Sequence, residues 1–248
     1  MKNKIIVCYT AENSREKAEK LAEKLNTEIS TEIKESQLAL LYDERGLTLT
    51  DGNLEVRGDF TENRNRLSEN NLRQEFLVKA VKSKNMGENP LVVDATAGLG
   101  EDSILLSAAG FRVVMFEYNP IICALLEDAM DRARETDELC EIINRMTLIE
   151  GDSTEKMSEI SERPEAVFLD PMFPERKKSG LVKKKFQLLQ KLEKPATDER
   201  KMYEKALKLH PKKIVIKRPL KGPVLQGTMP SYSIKGKAIR YDCILLPD

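Results

Sequence analysis

The chain has 248 residues, 40% of them hydrophobic and 33% charged, which suits one large α/β domain with a buried core. No apolar run approaches the roughly 20 residues that a membrane span requires, and the opening run, Ile5 to Tyr9, is too short for a signal-peptide core. We therefore expect a soluble, cytoplasmic protein. The four cysteines show no CxxC spacing and the only histidine is His210, so we expect neither a metal site nor a disulfide framework.

The formal net charge is zero, from 41 basic and 41 acidic residues, but the charge is unevenly spread. Between positions 171 and 221 the sequence holds 17 Lys and Arg against 5 Asp and Glu. A neutral average thus conceals a basic segment, and nucleic acid stays a candidate partner.

Residues 1–60 are predicted to form a small N-terminal α/β unit, and residues 61–89 a polar loop with a connecting helix around Arg73 to Lys82. Within the small unit, the Asp51-Gly52-Asn53 sequence favours the tight turn of a hairpin. The predicted elements of this unit are a strand at Ile5 to Tyr9, a helix at Ser14 to Leu25, and strands at Leu47 to Thr50 and Leu54 to Arg57.

Residues 90–248 alternate short apolar runs with helical patterns, which is typical of a mostly parallel sheet covered by helices on both faces. The last two runs, Ser231 to Ile234 and Ile239 to Leu246, lie too close together for a crossover helix, so the sheet should end in an antiparallel hairpin. The other predicted strands are Leu91 to Ala95, Val113 to Glu117, Thr147 to Glu150, Ala166 to Asp170 and Lys213 to Lys217. The predicted helices are Asp102 to Ala109, Pro120 to Arg134, Thr154 to Ser161 and Asp198 to Leu209.

A glycine turn joins the first of these strands to a helix, with Asp94, Gly98 and Gly100 in a DxxxGxG arrangement. Such a turn lets a ligand approach the backbone beside a helix N-terminus. The dinucleotide pattern GxGxxG is incomplete here, and Glu101 and Asp102 in the first helical turn would repel phosphates. The turn therefore favours a cationic ligand.

Two further carboxylates follow the next strands along the chain. Glu117 is suited to accept both hydroxyls of a ribose, and Asp152 to accept from an adenine amino group. Combined with the acidic glycine turn, they predict a site for S-adenosylmethionine (SAM), whose sulfonium and ammonium groups are positive.

The fourth predicted strand ends in the turn Asp170-Pro171-Met172-Phe173-Pro174, which is similar to the (D/N)PP(Y/F) turn of amino methyltransferases except at Met172. An exocyclic base nitrogen must rehybridise before it attacks a methyl group. The Asp170 carboxylate and the Pro171 carbonyl are predicted to accept its two hydrogens while Phe173 stacks on the base. Basic residues beside the turn are predicted to bind RNA phosphates: Arg176, Lys177, Lys178, Lys183, Lys184, Lys185, Lys217 and Arg218.

Several stretches carry a resemblance to a known family: VVDATAGLGEDS from Val92, YNP from Tyr118, LDPMFPERKKSGLVKKK from Leu169, and VIKRP from Val215. They resemble the RsmJ family, the small-subunit (16S) ribosomal RNA guanine-N2 methyltransferases. The resemblance implies a Rossmann-like class I methyltransferase fold, SAM as methyl donor, and small-subunit rRNA as partner. By position it implies a cofactor pocket lined by Glu101, Asp102, Glu117, Tyr118, Asp152, Ser153 and Asp170.

Other functions stay open at this point. The Asp170 turn alone does not separate adenine from guanine or DNA from RNA, so another nucleic-acid amino group is an alternative target. A nicotinamide-dependent oxidoreductase is disfavoured by Glu101 and Asp102. If Met172 disables the turn, the chain is an RNA-binding module without activity. The stretch from Arg64 to Asn71 lacks the glycines of the family, which leaves open whether it covers the substrate.

Overall fold

A computed structural model describes residues 5–10, 12–34, 37–171, 187–189, 191–192 and 198–247. These residues form two β-sheets, one of five strands and one of seven. In the described part of the chain, every helix is too short or too polar to traverse a lipid bilayer.

The five-stranded sheet lies in the N-terminal unit, with the strand order β2-β1-β3-β4-β5. β1 is parallel to both neighbours, whereas β3, β4 and β5 form an antiparallel meander. The predicted hairpin is present, and the carboxylate of Asp51 accepts from the backbone N–H groups of Asn53 and Leu54 at its turn. The strands are β1 (Ile6–Tyr9), β2 (Ile29–Ser30), β3 (Ala39–Asp43), β4 (Gly46–Thr50) and β5 (Glu55–Val56).

The seven-stranded sheet has the order β11-β12-β10-β9-β6-β7-β8. Strands β6, β7, β8, β9 and β10 form the parallel part of the sheet. Strand β12 is antiparallel to β10, and β11 is antiparallel to β12. This confirms the predicted Rossmann-like sheet that ends in an antiparallel hairpin. The strands are β6 (Leu91–Asp94), β7 (Arg112–Glu117), β8 (Met146–Glu150), β9 (Ala166–Leu169), β10 (Lys213–Pro219), β11 (Tyr232–Lys235) and β12 (Ile239–Leu245).

Helices cover both sheets through apolar faces. The longest, α6, has Pro120 in its first turn and the Asn119 side chain as its N-cap, which accepts from the Ile121 N–H. The α-helices are α1 (Arg15–Lys24), α2 (Arg64–Leu67), α3 (Glu69–Leu72), α4 (Phe76–Val81), α5 (Glu101–Ala108), α6 (Pro120–Arg134), α7 (Asp137–Asn144), α8 (Ser153–Lys156) and α9 (Glu199–Leu207). Single turns of 3₁₀-helix lie at Glu12–Ser14, Phe60–Asn63 and Met157–Glu159.

Some predicted elements differ from the observed ones. The polar stretch 61–75, predicted as a loop, holds the short helices α2 and α3, of which only Leu72 is buried. Strands β2 and β3 and helix α7 were not predicted, because β2 is two residues long and α7 is an eight-residue amphipathic segment directly after α6. Thr154 to Ser161 is a short α-helix followed by a 3₁₀ turn.

Helix α6 connects the two sheets. On one side it contributes Ala124 and Leu125 to a buried cluster with residues of the N-terminal sheet, including Leu47. On the other side it contributes Leu126 and Ala129 to the core of the larger sheet. The Asp128 carboxylate also accepts from the Leu47 N–H at 2.9 Å. The N-terminal unit is thus packed directly on the helix that follows β7.

Candidate active site

The candidate site lies where the strand order of the large sheet reverses. β6 and β9 are neighbours there, and the chain continues from them toward opposite edges of the sheet. In open α/β sheets, ligands bind at this point, beyond the carboxyl ends of the strands. Asp94 ends β6 and Asp170 follows β9, so both predicted acids sit at the reversal.

Asp94 shapes the glycine turn from inside the protein. Its side chain is buried, and it accepts from the Ser103 hydroxyl at 2.5 Å and the Thr96 N–H at 3.0 Å. Burial raises the pKa of Asp94 from 3.8 to about 7. Asp94 was predicted to bind the cofactor, and in the structure its carboxyl contacts the glycine turn and the helix that follows it.

The two glycines of the turn take left-handed backbone angles, with φ +55° at Gly98 and +76° at Gly100. A Cβ at Gly98 would meet no atom within 4 Å, so the backbone there is open to a ligand. At Gly100 a Cβ would lie 2.8 Å from Leu126 Cδ1 and 3.1 Å from Phe60 Cζ. Gly98 thus leaves room for a ligand, whereas Gly100 permits close packing of the turn on α6.

Glu117, at the end of β7, reaches across to the glycine turn. Its carboxylate accepts from the Gly98 N–H at 3.0 Å and the Asn119 N–H at 2.8 Å. Burial raises the pKa of this carboxyl, and the backbone hydrogen bonds oppose that effect. The next residue, Tyr118, has 41% of its surface exposed. A buried acid and an exposed aromatic ring therefore stand side by side at the rim of the turn.

Asp152 and Ser153 follow β8, the edge strand beyond β7. The Asp152 carboxylate accepts from the Thr154 N–H at 2.7 Å and caps helix α8. Ser153 is buried. These residues occupy the same edge of the sheet as Glu117, since β7 and β8 are parallel and Glu117 pairs with Glu150.

Asp170 is held on two sides. Its backbone N–H donates to the Thr96 hydroxyl at 2.8 Å, which ties it to the glycine turn. Its carboxylate pairs with the ammonium group of Lys217 at 2.9 Å. The same ammonium pairs with Asp102 in the first turn of α5 at 2.6 Å. Lys217 on β10 thus bridges an acid of the glycine turn and the acid of the β9 turn.

Burial governs the charges of this bridge. It raises the pKa of Asp170, and Lys217 opposes that effect while Asp102 adds to it. Burial alone would lower the pKa of Lys217, but the attraction of the two carboxylates outweighs it and raises that pKa. Lys217 therefore remains a cation and favours the ionised form of Asp170.

The basic residues predicted to bind RNA fall into two groups. Arg176, Lys177, Lys178, Lys183, Lys184 and Lys185 lie outside the described residues, as does Phe173. Lys217 and Arg218 are turned into the protein, where Arg218 pairs with Glu199 at 2.9 Å and has 3% of its side chain exposed. A phosphate at either position would have to compete with carboxylates that are already in place.

Several site contacts were not predicted from sequence. Thr96 receives the Asp170 N–H, Ser103 holds Asp94, and Asn119 donates to the Leu192 carbonyl at 3.2 Å. Thr96 and Ser103 stand within the DATAGLGEDS stretch itself, so their nearness to the glycines was the available signal. In the described part of the chain, no three His, Cys, Asp or Glu side chains are grouped so as to hold a metal ion.

Comparison with known proteins agrees with this geometry. The SAM_MT family model, which describes SAM-dependent methyltransferases, matches residues 20–246. The chain belongs to this family. SAM is therefore its cofactor, and methyl transfer is its activity.

Named relatives of this methyltransferase cover most of its length. The ribosomal RNA small subunit methyltransferase J of Thioalkalivibrio sulfidiphilus is 38% identical over 247 residues, 96% of each chain. The protein of the same name from Pseudomonas aeruginosa is 39% identical over 215 residues, 84% of this chain and 82% of the relative. A solved SAM-dependent methyltransferase from Neisseria gonorrhoeae superposes with a TM-score of 0.76 at 29% identity, covering 97% of this chain and 95% of that one.

Proposed function

We propose that this methyltransferase transfers the methyl group of SAM to the exocyclic N2 of a guanine in small-subunit ribosomal RNA, in the cytoplasm. The observation that carries the proposal is the position of Asp170: it stands at the sheet reversal, tied to the glycine turn by its backbone N–H and paired with Lys217 through its carboxylate. The relatives named as small-subunit rRNA methyltransferases support the choice of RNA.

The residues around the glycine turn fit SAM. The ligand is cationic, and the turn offers an open backbone at Gly98 and two carboxylates, Glu101 and Asp102, of which Asp102 also pairs with Lys217. Glu117 would take the ribose hydroxyls and Asp152 the adenine amino group, with Tyr118 beside them. When bound, SAM supplies the electrophilic methyl group. The full proposed set is Asp94, Gly98, Gly100, Glu101, Asp102, Glu117, Tyr118, Asp152, Ser153 and Asp170.

The reaction makes a specific demand on Asp170. The N2 lone pair is delocalised into the guanine ring, and it becomes nucleophilic only as the nitrogen rehybridises. The Asp170 carboxylate and the Pro171 carbonyl would each accept one amino hydrogen, and both bonds strengthen as positive charge develops on nitrogen. Phe173 would stack on the base and fix its plane. N2 gains the methyl group, becomes positively charged and then releases one of its two hydrogens as a proton to water. Catalysis therefore rests on positioning and on the Asp170 carboxylate.

Lys217 favours that negative charge, because it opposes the effect of burial on the pKa of Asp170. A protonated carboxyl would offer one acceptor oxygen and a competing donor, so it would orient the amino group poorly. The ion pair with Lys217 favours ionisation and fixes one carboxylate oxygen, Oδ2. We therefore assign Lys217 to the positioning of Asp170 within this site, and leave phosphate binding to Arg176, Lys177, Lys178, Lys183, Lys184 and Lys185.

The test is transfer of a labelled methyl group. Purified protein with methyl-labelled SAM should label small ribosomal subunits, or naked small-subunit rRNA, that lack the modification. Nuclease digestion and chromatography should then recover the label as N2-methylguanosine. Asp170→Ala should abolish labelling while SAM binding, followed by calorimetry, stays measurable. The exposed surface variant Asp131→Asn serves as the matched control and should label normally.

Three outcomes contradict the proposal. Absence of label on both subunits and naked rRNA would refute RNA methylation. Label on adenine or on another RNA would refute the guanine target while leaving amino methylation in place. If RNA binds without any transfer and Asp170→Ala changes nothing, the chain is a binding module and the proposed chemistry fails.

A further inference from the structure

An exposed aromatic side chain stands at the edge of the large sheet, outside the site described above. Phe76, the first residue of α4, has 40% of its surface exposed. Its ring lies against the turn between β11 and β12, where a Cβ at Gly236 would be 3.3 Å from two ring carbons. The Lys79 ammonium lies over the ring, 5.4 Å from its centroid. The ring is thus supported by backbone and stays accessible to a ligand.

Exposed cations are close to this ring along the chain: Lys79 lies three residues after it on α4, and Lys235 and Lys237 flank Gly236, which the ring contacts. Lys79 on α4, Lys235 at the end of β11 and Lys237 in the adjacent turn are all exposed. Among the described residues, none of these three ammonium groups has a carboxylate within ion-pair distance, unlike Lys212, which pairs with Glu165 at 2.8 Å. We call Phe76, Lys79, Lys235 and Lys237 the aromatic edge. Its charge is positive, and its cations are available to a polyanion.

The aromatic edge lies at the same end of the sheet as Asp170, the end at which the parallel strands terminate. Ile239, just after the turn, pairs with Pro219, and Tyr241 pairs with Lys217, which contacts Asp170. β9 and β11 are separated by β10 and β12, so three strand spacings, roughly 15 Å, divide them across the sheet. A single strand whose target base enters the Asp170 site can therefore extend toward Phe76 within a few nucleotides.

Glu75, the residue before Phe76, forms an ion pair with Arg66 of α2. Glu75 accepts two hydrogen bonds from Arg66, at 2.8 and 3.1 Å, and this bidentate pair fixes the start of α4. Burial raises the pKa of Tyr241, the strand partner of Lys217, and Asp102, Asp170 and Glu75 raise it further while Lys217 lowers it. The Arg66–Glu75 pair therefore ties the start of α4, next to Phe76, to helix α2.

We propose that the aromatic edge binds single-stranded RNA next to the target guanine, with one base stacked on Phe76 and flanking phosphates on Lys79, Lys235 and Lys237. An exposed ring within a set of cations is the arrangement by which proteins bind unpaired strands. The target base must leave its stack to reach Asp170, which exposes neighbouring bases as well. The inference rests on the proposed function for the identity of the RNA, but RNA binding can be measured separately from methylation.

Binding of a fluorescent single-stranded RNA oligonucleotide, followed by anisotropy, tests the surface. Phe76→Ala should weaken binding roughly tenfold, since stacking on an aromatic side chain contributes about 1–3 kcal/mol per base. Phe76→Trp should bind at least as well as the native chain. The double variant Lys235→Gln, Lys237→Gln should lower the slope of log K against log salt by about 1.4, because each phosphate contact on a single strand contributes about 0.7. Lys17→Gln, an exposed change on α1, is the matched control and should leave affinity and slope unchanged.

Methylation assays on the same samples separate this inference from the proposed function. Phe76→Ala should raise KM for RNA and leave kcat at saturating RNA unchanged, because the ring does not touch the reacting atoms. If the Phe76→Ala variant and the double variant both keep the native affinity and the native salt slope, the aromatic edge does not bind RNA, even if methylation is confirmed. Loss of RNA binding in these variants would support it, even if the native chain methylates no rRNA guanine. If Phe76→Ala instead lowers the molecular mass in solution and RNA binding is unaffected, the edge is a contact between copies of the chain and the inference is wrong.

Discussion

Replacing Lys217 with methionine removes the cation shared by two carboxylates while keeping a long side chain in its place. Both Oδ2 atoms contact the same ammonium nitrogen, Asp102 at 2.6 Å and Asp170 at 2.9 Å, so they lie no more than 5.5 Å apart. Without the cation these carboxylates repel one another across that distance. The pKa of Asp170, which burial already raises, should rise further.

The size of the effect follows from this separation. At an effective dielectric constant of about 20, two unit charges 5.5 Å apart repel by roughly 3 kcal/mol, a factor of about 100 in proton binding. The side chains of Asp102 and Asp170 are 21% and 32% exposed, so solvent reduces the repulsion. We expect Lys217→Met to lower kcat at neutral pH by roughly tenfold.

A pH profile of kcat provides the assay. Activity requires the ionised carboxylate, so the deficit of Lys217→Met should be largest at low pH and should shrink as the pH rises and Asp170 loses its proton. Lys217→Arg, which keeps the charge, should recover most of the activity. Lys212→Met removes a cation from an ion pair at the opposite end of β10 and should leave kcat unchanged. A deficit of constant size across the whole pH range would refute the reasoning, because it would mean that Lys217 acts through packing alone.

Other changes address the cofactor turn. Glu117→Gln replaces a charged acceptor of two backbone N–H groups with an amide, and SAM affinity measured by calorimetry should fall roughly tenfold or more. Asp94 is protonated more readily when folded, with a pKa of about 7, so the native free energy of unfolding should decrease as pH rises from about 4 to 7. Asp94→Asn should lack this decrease in urea titrations. Gly100→Ala should destabilise by about 2–3 kcal/mol, because Leu126 obstructs its Cβ, and Gly52→Ala by only about 1 kcal/mol, because only its positive φ is strained.

Each of these has a contrary result. Unchanged SAM affinity in Glu117→Gln would place the cofactor away from β7. Parallel pH dependences for native chain and Asp94→Asn would mean that Asp94 titrates normally in the folded protein. Equal losses for the two glycine variants would remove the argument from close packing at Gly100.

The sequence was informative where chemistry and periodicity are local. All seven strands of the large sheet follow from apolar runs, and helix α6 follows from its apolar pattern and from Pro120, whose ring favours the first turn of a helix. The glycine turn and Asp170 were predicted because residue type and position relative to a strand end both point to a site. The observed strand order reverses between β6 and β9, where the glycine turn and Asp170 meet.

Contacts between distant segments could not be predicted in the same way. Lys217 looked like one more cation in a basic segment, yet it is separated by 115 residues from Asp102, with which it pairs. Asp94 and Asp152 carry the residue type of a ligand, but each also satisfies backbone N–H groups of its own turn. The sequence therefore shows which carboxylate side chains could bind a ligand, but it does not show whether each one contacts a ligand or the protein backbone.

The position of α6 between the two sheets has a consequence for how the chain unfolds. Its buried residues are divided between both cores, Leu125 in one and Leu126 in the other, and Asp128 receives a backbone N–H from β4. Opening either sheet would therefore expose apolar surface of the other. The N-terminal unit and the catalytic sheet should behave as one cooperative unit with a single melting transition, and neither is a detachable module.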